Sequence, residues 1–530
     1  IPTWVYEYPE QEFKAHPGQT CTRVDTLAGV ALLEIDEDAR QIRLKPTQKA
    51  LPDPDVLSLG PPSPINTDVL QEAVARFADS VLKGAHSYPA LEALLEKQLP
   101  TIAGMEPESR LVTGDPPSTK EVSRVVAGLQ RSYLFIQGPP GAGKTYTGSR
   151  VIADLLAAGR SVGISSNSHK AIDNLLRSVA EEVNTRGLAV SMCKKENAGT
   201  EFALAGLGVM PVYRGEDALL GGYQLIAGTA WLFAREEADR LLDYLFIDEA
   251  GQVSLGHLVA MGTAAHNLVL LGDQMQLPQP IQGVHPGRSG ESALDYLLDG
   301  RAIVDPARGI FLPNTWRMHP DVCRFISAAV YDGQLVSAPG RDQQTLVLQE
   351  AAHPALRSTG IRFRPTEHDG CSQRSEEEAQ EVLAIYQSLL NQRWRDHEGQ
   401  EHPIGPDDIL VVAPYNMQVN LLRRTLPDGA RVGTVDKFQG QEAPVVLVSM
   451  ATSSGEYLPR DIEFLYSKNR LNVALSRAKC LAVLVASPKL LDVACKTVEQ
   501  IALVNTLCWV EEFSSQLDSN APVLVRRSDA

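Results

Sequence analysis

The stretch YLFIQGPPGAGKTYTGSR, residues 133–150, decides the fold. Its first four residues, Tyr133 to Ile136, are an apolar run of strand length, and the later segment YTGSRVIADLLAAGR (146–160) has helical patterning. Between them Gly138, Pro139, Pro140, Gly141, Ala142, Gly143, Lys144 and Thr145 make the pattern G-x-x-x-x-G-K-T at a strand-to-helix turn. Glycines in such a turn let backbone amides converge on one anion, and the helix N-terminus adds its partial positive charge. The lysine then reaches the β- and γ-phosphates, while the Thr145 hydroxyl suits Mg2+. This context predicts a nucleoside-triphosphate cradle at the edge of an α/β sheet.

Working outward, short apolar strands alternate with helices at 162–166, 224–229, 244–250 and 268–273. A second series follows at 409–414, 431–435, 445–450 and 481–487. Continuous apolar strands of this length mark parallel sheets covered on both faces. Between the series, Ser375 and Glu378 predict a capping box ahead of a helix carrying Val382, Ile385, Tyr386 and Leu389. The expectation is two α/β lobes in tandem. Upstream, the runs 26–35 and 40–46 around the turn DEDA predict a small β unit, and 68–84 and 89–99 predict stalk-like helices.

Bulk properties restrict the function. With 530 residues, 44% hydrophobic and 22% charged, the chain has the make-up of a globular protein of several domains. No apolar run approaches the roughly 18 residues that span a bilayer, so no membrane partner is expected. A net charge of −16 argues against a surface coated for phosphate binding, so any nucleic-acid contact has to be local. The seven cysteines contain no C-x-x-C pair, which argues against zinc or iron–sulfur clusters and predicts free thiols in a reducing, cytoplasmic compartment. Because the chain opens on Ile1, it is read as a fragment of a longer protein.

The remaining motifs carry the chemistry. YLFIDEAGQ (244–252) ends a buried strand in Asp248, placed for the metal, and Glu249, placed beside an attacking water. GDQMQLPQP (272–280) offers Gln276 to orient that water or sense the γ-phosphate. In NRLNVALSRAK (469–479), read as a helix, Leu471, Ala474, Leu475 and Ala478 form an apolar stripe with Arg470 and Arg477 on an adjacent face, as if awaiting an anion. Together with SSNSHKAIDNLL (165–176), GTAWL (228–232), LPNTWRMHP (312–320) and TVDKFQGQE (434–442), this ordered set resembles superfamily 1 helicases. The match is narrower still to the DEAxQ branch, which includes the nonsense-mediated-decay RNA helicase and the Okazaki-fragment nuclease-helicase. The resemblance covers residues 120–490.

That resemblance implies two RecA-like P-loop lobes, at 114–303 and 304–515, a small β-barrel-like domain at 1–64, a helical stalk at 65–113 and a tail at 516–530. It implies ATP and Mg2+ as cofactors, with Trp316 stacking on adenine, Glu442 touching the ribose, and Arg317 and Arg477 reaching across to the γ-phosphate. Ser166, Asn167, Thr229, Tyr415, Asn416 and Thr434 would contact the strand, from loops at the sheet edge opposite the cleft. Arg470 is open between the anion and a local carboxylate, and Arg423 and Arg424 read as a solvated helix face. The implied activity is ATP-dependent helicase translocation, 5′ to 3′, along single-stranded nucleic acid, DNA ahead of RNA, by a monomer. A resemblance of VYEYPEQEFK (5–14) to the junction of nuclease-helicase fusions adds a fused or associated nuclease. The rival readings are an ATP-gated nucleic-acid clamp or scaffold without unwinding, and a P-loop ATPase that remodels protein.

Two features depart from the branch. Where it carries a glutamine that reads the adenine edge, this chain has Glu121, which can accept from the adenine amino group but cannot donate to N7. The segment 180–222 is too short for the helical insertion of some members and is expected to be a compact loop.

Overall fold

The computed structural model describes residues 3–519 apart from 10–14, 16, 37–38, 48–53, 61–64, 198–201, 280–284 and 439. The expectations for 10–14 and for 520–530 therefore lie outside the described residues. The chain divides into two compact units, Ile1–Thr67 and Asp68–Ala530.

In the first unit, Gly29–Asp36 and Gln41–Pro46 pair as antiparallel strands, as the acidic turn between them predicts. Thr20–Arg23 and Leu59–Gly60 extend the sheet on one side and Trp4–Glu7 on the other. Alternate side chains point inward, so Trp4, Cys21, Val30, Leu32 and Leu44 form its small core.

The second unit holds two large parallel sheets. The spatial order of the first is Gly309–Phe311, Tyr133–Gln137, Ala265–Gly272, Leu242–Ile247, Val162–Ser165, Leu225–Ala227, Met192–Lys195 and Val209–Val212. Every strand pair in it is parallel. The second sheet runs Gly360–Pro365, Ala478–Ala486, Ala443–Ser449, Ile409–Val412 and Arg431–Gly433, again all parallel. Strands such as Tyr133–Gln137 and Ala443–Ser449 are buried along their whole length, which is why they read as unbroken apolar runs. Helices Asp68–Leu82 and Pro89–Leu95 pack into the first sheet's core through Leu70, Ala73, Leu91 and Leu94.

Four expectations change. The Ser375 hydroxyl caps its helix by accepting from Glu378 N, but the Glu378 carboxylate does not return the bond and accepts from Ser449 Oγ and Ala451 N instead. The segment 180–222 is not a loop: Met192–Lys195, Val209–Val212 and the helix Gly215–Leu220 widen the first sheet. Lys194 hid the strand pattern, because a buried lysine is rare unless paired; here it is buried against Asp173, at 2.5 Å, and Glu196. Gly309–Phe311 pairs with Tyr133–Gln137, so the first sheet takes a strand from beyond residue 303. The helix at the NRLNVALSRAK motif runs only over Lys468–Leu475, and Ser476 caps it. Ala478 opens the strand Ala478–Ala486, which pairs on both sides, so sheet pairing ends the helix and Arg477 sits in the turn between them.

Candidate active site

The phosphate-type loop depends on two left-handed glycines, Gly141 at φ +74° and Gly143 at φ +79°, the second capping the helix Lys144–Ala157. A Cβ on Gly141 would lie 2.6 Å from the Arg317 Cβ, so the loop also needs glycine for close approach. The second-lobe segment is tied down there. Trp316 N donates to Gly141 O at 2.8 Å, and Thr315 Oγ1 donates to Pro140 O at 3.0 Å. The Lys144 ammonium donates to Gly138 O.

Asp248 and Glu249 follow the strand Leu242–Ile247. Asp248 is buried, and burial, reinforced by the Glu249 charge, raises its carboxyl to about 7. Glu249 has a left-handed backbone at φ +52°, an uncommon state for a residue with a side chain and one that clusters at functional sites. Gln276 Nε2 donates to Asp273 Oδ2 at 2.9 Å, which fixes the amide beside them.

Lys144, Thr145, Asp248, Glu249 and Gln276 from the first sheet and Arg317 and Arg477 from the second lobe all line one cavity of about 390 Å3. Arg317 Nε donates to Glu442 Oε2 at 2.7 Å and its Nη1 to Ser476 O at 3.1 Å. Arg477 is buried, Nη1 donates to Gln441 O at 2.8 Å, and among the described residues Nε has no hydrogen-bond partner. Burial, then the adjacent Arg317, lowers its pKa to about 9, so it remains a cation at neutral pH. Glu442 pairs with Arg317 and, at 3.2 Å, with Lys479. Arg470 meets a local carboxylate, Asp436, at 3.2 Å.

Beside this cavity lies an apolar slot of about 550 Å3, lined by Trp316, Tyr146, Pro116, Pro117, Leu312 and Asn314 among others. Trp316 and Tyr146 are 54% and 57% exposed, unusual for such large rings. Tyr146 is a residue the sequence reading missed; the signal was an aromatic directly after the G-K-T. Glu121 does not line the slot. Its carboxylate accepts from Ser118 N, Ser118 Oγ, Gly114 N and Thr113 Oγ1 at 2.9–3.0 Å, completing a capping box for the helix Thr119–Ala127. Those donors, Ser118 N–H first, lower its pKa to about 2. Its acceptor oxygens are thus already used and are not available to the adenine amino group.

The strand-contact residues divide. Asn167 is exposed, with Thr229, Asn416 and Thr434 partly so. Ser166 is 1% exposed and Tyr415 0%, the latter packed against Phe464 in the second-lobe core, so neither side chain can meet a strand directly. The expected separation of edges also fails in the first lobe. Because its strands are parallel, the phosphate loop, Gln276, Asp248, Asn167 and Thr229 follow strand ends at the same edge, in that spatial order. In the second lobe Glu442 and Arg477 precede strands while Asn416 and Thr434 follow them, at opposite edges.

Two parallel sheets of this kind, one bearing a G-K-T loop and acidic strand end and the other facing it with two arginines, define a two-lobed RecA-like P-loop protein. Family models described as AAA domains match residues 118–288 and 291–489. The Arabidopsis thaliana DNA replication ATP-dependent helicase/nuclease JHS1 is 27% identical over 71% of this chain and 29% of its own. The Schizosaccharomyces pombe DNA polymerase alpha-associated DNA helicase A is 23% identical over 74% of this chain and 64% of its own. The Drosophila melanogaster regulator of nonsense transcripts 1 homolog is 26% identical over 70% and 34%. The two AAA-domain models and these relatives together support a superfamily 1 helicase of the branch they represent. It spans between 29% and 64% of the length of those three. Among solved structures, an arterivirus nonstructural protein 10 helicase aligns over 92% of this chain and 77% of its own, with 14% identity and a TM-score of 0.40.

Proposed function

We propose that the chain hydrolyses ATP between its two lobes and uses the opening and closing of that cleft to move along single-stranded nucleic acid and unwind duplexes. The observation that carries this reading is the convergence of Lys144, Thr145, Glu249 and Gln276 with Arg317 and Arg477 on one cavity. In it, the loop amides and Lys144 bind the phosphates, Glu249 accepts the proton of the attacking water, and Gln276 orients that water. Arg317 and Arg477 stabilise charge that develops during phosphoryl transfer. Thr145 and Asp248 would hold Mg2+, which neutralises phosphate charge when bound. Two oxygen donors suit an ion that keeps several of its waters and takes the rest from substrate. Adenine is held by its face, between Trp316 and Tyr146, and Glu442 lies near the ribose only if it leaves Arg317.

Asn167, Thr229, Asn416 and Thr434 bind the strand through neutral hydrogen bonds, which is compatible with an acidic chain. DNA is favoured over RNA by the names of two of the three relatives, and an associated nuclease by the length that the first has beyond this chain. A 5′ to 3′ direction follows the branch resemblance. A monomer is sufficient because one chain supplies every cleft residue named, and cysteines left as thiols among the described residues suit a reducing cytoplasm. The first unit is read as the small barrel and the helices Asp68–Leu82 and Pro89–Leu95 as the stalk. The test is strand displacement on duplexes with a 5′ or a 3′ tail, in DNA and RNA, with Glu249→Gln as the inactive control. ATP turnover indifferent to single strands would sink the translocase reading.

A further inference from the structure

Gln276 reaches the cleft from the first lobe, yet much of what holds its loop belongs to the second. Asp273, fully buried on the same loop, accepts from Gln276 Nε2 at 2.9 Å and, on the same oxygen, from the Tyr331 hydroxyl at 2.6 Å. Tyr331 ends the helix Pro320–Val330 of the second lobe and is 0% exposed. Its oxygen in turn accepts from Asn472 Nδ2 at 3.0 Å, and the same amide group donates to Met275 O at 2.7 Å. Asn469 Nδ2 donates to Gln274 O at 2.7 Å and to Gln276 O at 2.6 Å. Both asparagines lie on Lys468–Leu475, the helix that leads into Arg477. Short hydrogen bonds in a water-excluded site are stiff and costly to leave unmade.

We infer that Tyr331 is a positioning residue for the attacking water: through Asp273 it fixes the Gln276 amide, so the glutamine is in place only when the second lobe is docked. By engaging its nitrogen, Asp273 leaves the Gln276 oxygen as the acceptor for a water proton. A strand that shifts the second lobe thus changes water alignment as well as arginine placement. This rests on the proposed role of Gln276 in hydrolysis.

The test is a double-mutant cycle on the full chain with oligo(dT) as the stimulating strand. Tyr331→Phe removes one hydroxyl and keeps the ring. Misplacing a reacting group by about 1 Å costs up to about 100-fold, so a loss of about 10- to 100-fold in stimulated kcat is expected, with KM for ATP within about twofold. In a Gln276→Ala background the same change should cost nothing further, since residues acting as one unit are non-additive. Asp273→Leu, of similar shape but without an acceptor, should reproduce the loss and covers the case in which Tyr331→Phe does not fold. A wild-type rate for Tyr331→Phe, or an equal loss in both backgrounds, overturns the inference while leaving Gln276 in its role. A wild-type rate for Gln276→Ala overturns the role of the glutamine and the inference with it.

Discussion

Replacing Arg477 with methionine should make the nucleotide-free protein more stable and almost inactive. The guanidinium is buried, one nitrogen has no partner among the described residues, and Arg317 stands beside it. A pKa lowered from 12.5 to about 9 corresponds, at about 1.36 kcal/mol per unit, to a penalty on the order of 5 kcal/mol for keeping the charge inside. Substituting a buried ion by an apolar side chain of similar volume is often neutral or stabilising by about 1–4 kcal/mol. A folded-state pKa below the unfolded one means the folded chain gives up its proton first. The penalty is thus fully present at neutral pH and fades as pH rises past about 9. Thermal melts of Arg477→Met and wild type should differ most near pH 7, with the variant higher, and converge toward alkaline pH. A non-hydrolysable ATP analogue should raise the wild-type melting temperature more than the variant's, because the phosphates supply the missing counter-charge. Strand-stimulated hydrolysis should fall about 10³–10⁵-fold, the range for an arginine finger in phosphoryl transfer. A variant that melts lower at pH 7 while keeping its rate would show that Arg477 is a structural cation and would refute this reasoning.

Lys144→Ala should weaken nucleotide affinity, whereas Glu249→Gln should retain it and stop turnover; equal loss of affinity in both, by equilibrium binding, would undo the role assignment. Glu121→Ala should leave the GTP-to-ATP rate ratio unchanged and lower stability, since its oxygens serve the cap at Ser118 and the turn at Gly114. With a folded pKa of about 2, that stabilisation holds above about pH 4.5 and disappears as pH falls toward 2, which acid melts of the two proteins would reveal. GTP should support a substantial fraction of the ATP rate if the base is held by its face, and Trp316→Ala should raise KM for both nucleotides. Tyr415→Phe should leave oligonucleotide affinity at the wild-type value, while Asn416→Ala should reduce it in a filter-binding titration.

Most of the second unit could be read from the chain because its strands are buried on both faces and so advertise themselves as apolar runs. Met192–Lys195 escaped because a lysine in a buried strand looks like surface until Asp173 and Glu196, one of them on a distant helix, close around it. The helix ending at Leu475 was overrun because the periodicity of Leu471, Ala474, Leu475 and Ala478 serves a helix and a strand start equally well, and only pairing with the neighbouring strands decides. The phosphate loop and acidic strand end were legible since their chemistry is local. Glu121 could be located but not partnered, because what its carboxylate binds depends on the cap at Ser118 and the turn at Gly114 rather than on family position. Tyr331 carried no signal at all, because its meaning lies in a hydrogen bond to a residue 58 positions away.

The strand Ala443–Ser449 joins two places that the proposed mechanism requires to communicate. At its start, Glu442 holds Arg317; at its far end, the Ser449 hydroxyl accepts from Gln418, two residues into the helix that begins at Asn416. Seven residues at about 3.3 Å each separate them by roughly 20 Å, through a rod buried along its whole length and flanked by strands on both sides. Such a rod transmits displacement without absorbing it. On the proposed reading, in which Arg317 exchanges its carboxylate for phosphate and Asn416 contacts the strand, the Asn416 end travels with the lobe as one body. The first lobe, whose loops crowd a single edge, is free to answer by local rearrangement. If the proposed translocation holds, the second lobe is the one built to carry the stroke and the first the one to time it.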